Sequence, residues 1–200
     1  MRVWVFFMGK KKRVIGSDRS AVLVIDVQNY FFARRSSAFI EETARILQRI
    51  NRLIASARAN GWPVIYTVHR APKTSGNLMA VQWDHLPSKA ESKPFAGLKR
   101  RAGEAVIEKE HYSAFMGTRL RELLEELGVG RLILCGVMTH LCVDTTARHG
   151  FMLGFRPVIV RDACCSNLAN LHAAALACLA HGFAEVSTVA KIVRSVKCTT

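Results

Sequence analysis

Two hundred residues suit one ordinary domain, or at most two small ones. Half of them are hydrophobic and 22% are charged, which excludes global disorder, and no apolar run approaches the ~20 residues of a membrane-spanning helix. Lysine and arginine total 29 against 15 aspartates and glutamates, a net of +14 that favours anionic partners without naming one; solubility charge is the plainer explanation.

Over residues 1–20, Arg2, Lys10, Lys11, Lys12, Arg13 and Arg19 stand against Asp18 alone, a net of +5. The apolar run 3–8 is shorter than the ~7–15 residues of a secretory core, and the basic run 10–13 occupies the place of a cleavage site. Residues 1–17 therefore read as a basic, poorly ordered extension, with Met8 or a later position as an alternative start. Residues 18–200 read as one domain of a cytoplasmic protein. Six cysteines without a CxxC pair then read as reduced thiols rather than a disulfide frame or a structural zinc site.

The run 21–27 (AVLVIDV) lacks alternation, as a strand covered on both faces does. In 37–60, Phe39, Ile40, Ala44, Leu47, Ile50 and Ile54 recur at helical steps until Gly61. Strands follow at 63–68 and 105–107. A helix over 118–127 buries Leu120, Leu123, Leu124 and Leu127 and closes at Gly128. A fourth strand spans 131–136. It leads into a helix over 139–153, capped by Thr139 or a neighbour. A strand at 157–160, an alanine-rich helix at 168–181 and a strand at 184–187 complete the chain. This alternation predicts a three-layer α/β/α sandwich around a six-stranded parallel, Rossmann-like sheet. The irregular stretch 69–104 is long enough to be a lid or a subunit contact.

In open α/β sheets, ligands bind outside the carboxyl ends of the strands. Asp26 stands at the end of the first strand, where an apolar setting penalises a carboxylate unless a charged or protic group meets it. Cys142 falls in the first turn after the fourth strand, where a helix start favours a thiolate and Gly136 permits a tight turn exposing backbone N–H groups. Such a thiolate would alkylate faster than the other five cysteines at neutral pH. Cys135, Cys164, Cys165 and Cys178 read as small buried hydrophobes. Lys109 follows the third strand, a suggestive position for a residue type usually found solvated.

Four segments in order, 21–32 (AVLVIDVQNYFF), 107–118 (IEKEHYSAFMGT), 132–147 (LILCGVMTHLCVDTTA) and 158–166 (VIVRDACCS), resemble the isochorismatase-like cysteine hydrolases, over about 21–187. The resemblance implies that Asp26, Lys109 and Cys142 form a catalytic triad within a six-stranded parallel sheet flanked by helices. It also implies a cis peptide at Val137–Met138, with N–H groups of Cys142 and the Met138 turn as the oxyanion hole. Asp26 would take the thiol proton, Cys142 would attack a carbonyl carbon, and Lys109 would pair with the carboxylate and stabilise developing charge. Because the thiol is present, the implied reaction is C–N hydrolysis of a small amide, carbamoyl or ureido compound through a thioester. A vinyl-ether hydrolase of isochorismatase type is the alternative. A homo-oligomer, dimer or tetramer, is implied as well. Cys142→Ala and Asp26→Asn should abolish turnover and leave the fold largely intact, and Lys109→Ala should lose most of the rate.

Nicotinamidases of this superfamily hold a metal through an Asp-x-His pair and a second histidine. Here 69–76 reads HRAPKTSG, one histidine and no carboxylate, so no metal or other cofactor is expected and His69 reads as a pocket residue. His140, beside the nucleophile turn, is either a pocket residue or an exposed helix-start histidine. Asp162 reads as a structural carboxylate in the loop after the fifth strand. Arg119 and Trp83 are further guesses at pocket or lid roles. A non-catalytic nucleotide- or nucleic-acid-binding module is the competing class, but neither GxGxxG nor GxxxxGK[ST] occurs, which leaves nucleic acid and membrane outside the expected partners.

Overall fold

The computed structural model describes residues 17–72 and 76–197. The extension read over 1–17, with its basic run at 10–13, therefore lies outside the described residues except for Ser17, whose hydroxyl donates to the Gly128 carbonyl at 2.7 Å.

The first strand, β1 (Ser20–Ile25), is buried along its whole length. A short helix, α1 (Asn29–Phe32), and a long one, α2 (Thr43–Ala59), lead to β2 (Val64–His69). After α3 (Leu78–Gln82) comes β3 (Val106–Lys109), then α4 (Leu120–Glu126) and β4 (Arg131–Val137). A π-helical turn, Thr139–Val143, opens α5 (Asp144–Met152). The chain continues through β5 (Arg156–Cys165), α6 (Ala169–Gly182), β6 (Glu185–Ser187) and α7 (Val189–Lys197).

The six strands form one sheet in the order β3-β2-β1-β4-β5-β6, and every pairing is parallel. Parallel neighbours need crossovers, and these are right-handed almost without exception. The crossover from β1 to β2 steps one way along the sheet and that from β4 to β5 the other, so α2 and α5 cover opposite faces. Helix α7 packs on α2, and α6 on α5. Strand order therefore reverses between β1 and β4, and the crevice that this opens at their carboxyl ends is where such folds bind ligands.

Several boundaries differ from the sequence reading for local reasons. Helix α2 starts at Thr43 rather than 37, because Ile40 gives its N–H to the Phe31 carbonyl and ties 37–42 to α1 as turns. Strand β5 runs on to Cys165, so Asp162 lies within it rather than in a following loop. There its Oδ1 accepts the Val189 N–H at 2.9 Å, at the start of α7. Thr139 does not cap the helix that it opens; its hydroxyl lies 2.8 Å from His172 Nδ1. Cys135, Cys164 and Cys165 are buried as expected, but Cys178 is exposed on α6, where only Ala175 and Leu179 are buried. All five described cysteines are free. Among the described residues, no helix is long and apolar enough to cross a membrane.

Candidate active site

Three strand ends deliver three reactive side chains to one point. Strand β1 stops at Ile25, and Asp26 turns the chain with φ +51, an uncommon conformation for a residue other than glycine. Lys109 is the last residue of β3. Cys142 sits in the π-helical turn after β4. Gly136 allows β4 to run this close to β1: its φ is +117, and a Cβ there would lie 2.0 Å from the Ile25 carbonyl oxygen. The Val137–Met138 peptide is cis.

The Lys109 ammonium has three protons to donate, and it meets three acceptors. Asp26 Oδ2 lies at 2.7 Å, the His111 carbonyl at 3.1 Å and Cys142 Sγ at 3.3 Å. Both side chains of the ion pair are wholly buried. The other carboxylate oxygen, Oδ1, accepts the Thr67 hydroxyl at 2.6 Å, while Thr67 Oγ1 accepts the Asp26 N–H at 3.1 Å. Burial works against the Lys109 charge, but the Asp26 carboxylate and the Cys142 sulfur outweigh it and hold the ammonium above the ordinary lysine range.

The thiol departs from the sequence expectation. Burial pushes Cys142 up to about 12; Lys109 pulls it down, and Asp26 opposes that pull. Burial thus opposes the thiolate that a helix start would favour. Desolvation is the largest of the influences on the thiol.

Cys142 opens onto a cavity of about 300 Å³, at the small end of the ~300–1,000 Å³ span of small-molecule pockets. Its wall is mostly apolar and aromatic, with Tyr30, Phe39, Trp83, Tyr112, Met138 and Leu141 among its members. Much of one side comes from the irregular stretch 69–104, including Trp83 and Met79 of the guessed lid. Two hydrogen bonds hold that side in place: Tyr30 Oη donates to the His85 carbonyl at 2.6 Å, and Trp83 Nε1 donates to Tyr112 Oη at 2.9 Å. The buried Gln28 side chain joins three segments, accepting the His69 N–H at 2.6 Å and donating to the carbonyls of His69 and Glu91 at 2.9 and 3.2 Å.

His69 lines the cavity, and burial, followed by the nearby Lys109 charge, pushes its imidazole down to about 4. Its Nδ1 is buried without a hydrogen-bond partner. His140 is not among the described residues lining the cavity; its Nδ1 lies 2.9 Å from Ser166 Oγ instead. Arg119 does not line the cavity either; it occupies the N-cap position of α4. Among the described residues no three of His, Cys, Asp and Glu gather as a metal set, and the donor chemistry around His69 does not fit the Asp-x-His pattern.

Sequence reading named Asp26, Lys109, Cys142, Val137, Met138 and His69 but missed Thr67, Gln28 and most of the aromatic wall. The wall residues lie in turns and short helices where no spacing pattern marks them.

The isochorismatase domain model matches residues 20–191. The chain is 35% identical to nicotinamidase 3 of Arabidopsis thaliana over 191 residues, covering 92% of each sequence. It is 29% identical to a ureidoacrylate amidohydrolase of Yersinia enterocolitica, covering 74% of this chain and 75% of the relative. Among solved structures, nicotinamidase PncA of Bacillus subtilis superposes with a TM-score of 0.75 at 26% identity, covering 84% of this chain and 99% of that one. With its parallel six-stranded sheet and its model match over nearly the whole described length, the chain belongs to the isochorismatase family of hydrolases.

Proposed function

We propose that this hydrolase cleaves the C–N bond of a small amide, carbamoyl or ureido compound through a thioester on Cys142. The observation that carries the reading is the contact set of Lys109, whose ammonium bridges a buried carboxylate and the sulfur of Cys142, the one cysteine among the described residues that line the cavity. The named activities of the relatives, a nicotinamidase and a ureidoacrylate amidohydrolase, support the same bond type.

With substrate in place, Asp26 accepts the Cys142 proton as sulfur bonds to the carbonyl carbon, so the nucleophile is made only when it is used. Backbone N–H groups of Cys142 and the Met138 turn receive the oxyanion. The tetrahedral centre collapses, the C–N bond breaks, and Asp26 returns the proton to the leaving nitrogen. A water then loses a proton to Asp26 and adds to the thioester, releasing the acid and regenerating the thiol. Lys109 keeps sulfur and carboxylate in register and offsets the negative charge that moves between them. No step draws on a metal.

Ammonia release by the wild-type chain over a panel of amides, carbamoyl and ureido compounds tests the reading, together with intact-mass detection of an acyl adduct. Turnover that survives in Cys142→Ala, or a panel yielding no ammonia, overturns it.

A further inference from the structure

The chain is strongly basic, yet the described residues that line the cavity over Cys142 include no lysine or arginine. The two basic side chains next to it are engaged elsewhere. Lys109 is ion-paired with Asp26 and donates to Cys142 Sγ and the His111 carbonyl. Arg70, which follows His69, is turned to Glu110 at 2.8 Å and Glu108 at 3.5 Å. The imidazole of His69 is neutral at physiological pH, since burial holds it near 4. Among the described residues, the one carboxylate on the wall is that of Asp84, which is exposed. Apart from His69 and an exposed second histidine, His85, the remaining described residues of the wall are apolar, aromatic or polar without charge.

We propose that this site selects amides whose non-reacting part carries no carboxylate, so that its substrate is an uncharged, largely apolar or aromatic amide. The inference rests on the hydrolytic reading above and narrows it to a substrate class. A carboxylate entering the cavity would give up its water shell without finding a counter-charge, and Asp84 would repel it at the rim. The overall charge of +14 does not reverse this. It acts at long range and is screened over roughly 8–10 Å in salt, whereas the wall decides what is held in contact. A flat apolar amide meets aromatic and aliphatic side chains on most sides.

The test uses two probes that differ by one group, benzamide and 4-carbamoylbenzoate. Each is titrated calorimetrically into the full-length Cys142→Ala chain, so that binding is read without turnover. Ammonia release is followed separately in the wild type. The expected result is tighter binding of benzamide by about tenfold or more. Equal or tighter binding of the carboxylate, or binding of neither probe, overturns the proposal. Selective binding of benzamide without ammonia release upholds this selectivity and counts against the hydrolytic reading instead. In a second variant, Asp84→Arg in the Cys142→Ala background, a cation at the rim should narrow the ratio by about threefold or more, and more so at low ionic strength. An unchanged ratio overturns the assignment of the wall charge.

Discussion

Thr67 and Asp26 hold each other through two contacts: the threonine hydroxyl donates to Asp26 Oδ1 at 2.6 Å and accepts the Asp26 N–H at 3.1 Å. Because Oδ1 is taken, the free edge of the carboxylate is turned to Lys109 and the thiol. On the proposed mechanism, Thr67 is thus a positioning residue for a carboxylate that has left regular strand geometry. Thr67→Val, which keeps the shape and removes the hydroxyl, should lower kcat by roughly tenfold to a hundredfold with KM nearly unchanged. Thr67→Ser should recover most of the loss. A rise in KM at constant kcat in steady-state kinetics would show that the threonine serves binding instead.

The buried ion pair changes what Asp26→Asn tests. The sequence reading expects that variant to stay folded, but it leaves the wholly buried Lys109 ammonium without its counter-charge, facing only neutral acceptors. Removing one member of a buried pair costs about 3–5 kcal/mol, whereas replacing both with apolar groups is often neutral. Denaturant unfolding should therefore find Asp26→Asn destabilised by about that amount and the double variant Asp26→Leu/Lys109→Met much less so. Equal losses in the two would refute this origin of the instability. Cys142→Ala leaves the buried ion pair in place and should lose turnover with little loss of stability.

What was legible in the sequence follows from the fold's own geometry. A parallel sheet gathers strand carboxyl ends at one edge, so a carboxylate, a lysine and a cysteine that each close a strand fall together once the strands are found. Thr67 and Gln28 gave no such signal. Their roles depend on register across the sheet, where Val24 pairs with Tyr66 and so brings Thr67 level with the turn at Asp26. Helix α6 misled about Cys178 because its many alanines leave no apolar stripe from which a buried face could be read. The burial of Cys142 was not legible for another reason: a helix start is visible in a sequence, but the depth of burial that opposes a thiolate is not.

That depth reverses an expectation about labelling. Burial holds Cys142 near 12, and Cys178 is exposed, so iodoacetamide at pH 7 should modify Cys178 well before Cys142. The Cys142 rate should keep climbing by about tenfold per pH unit from 7 to 9, tracking the thiolate fraction without levelling. Peptide mapping by mass spectrometry reads both. A Cys142 rate that is flat above pH 7 would mean a preformed thiolate and would remove the need for Asp26 to take the proton during attack.

His69 makes the fold sensitive to mild acid. Its imidazole is held near 4 in the folded chain against 6.5 ordinarily, chiefly by burial and then by the Lys109 charge. Between those values the unfolded chain binds a proton that the folded chain refuses, so stability falls as pH drops through this window and is restored above it. From pH 7 to pH 5 the loss from this one group is on the order of 2 kcal/mol. His69→Phe, close in size and unable to titrate, should lose less stability by that amount over the same interval. His140 and His172, whose pKa values burial also lowers, are present in both chains and cancel in the comparison. Urea unfolding of wild type and variant at the two pH values measures the difference. Parallel losses would mean that His69 takes up its proton in the folded state as readily as in the unfolded one, and that the imidazole on the cavity wall is charged in mild acid.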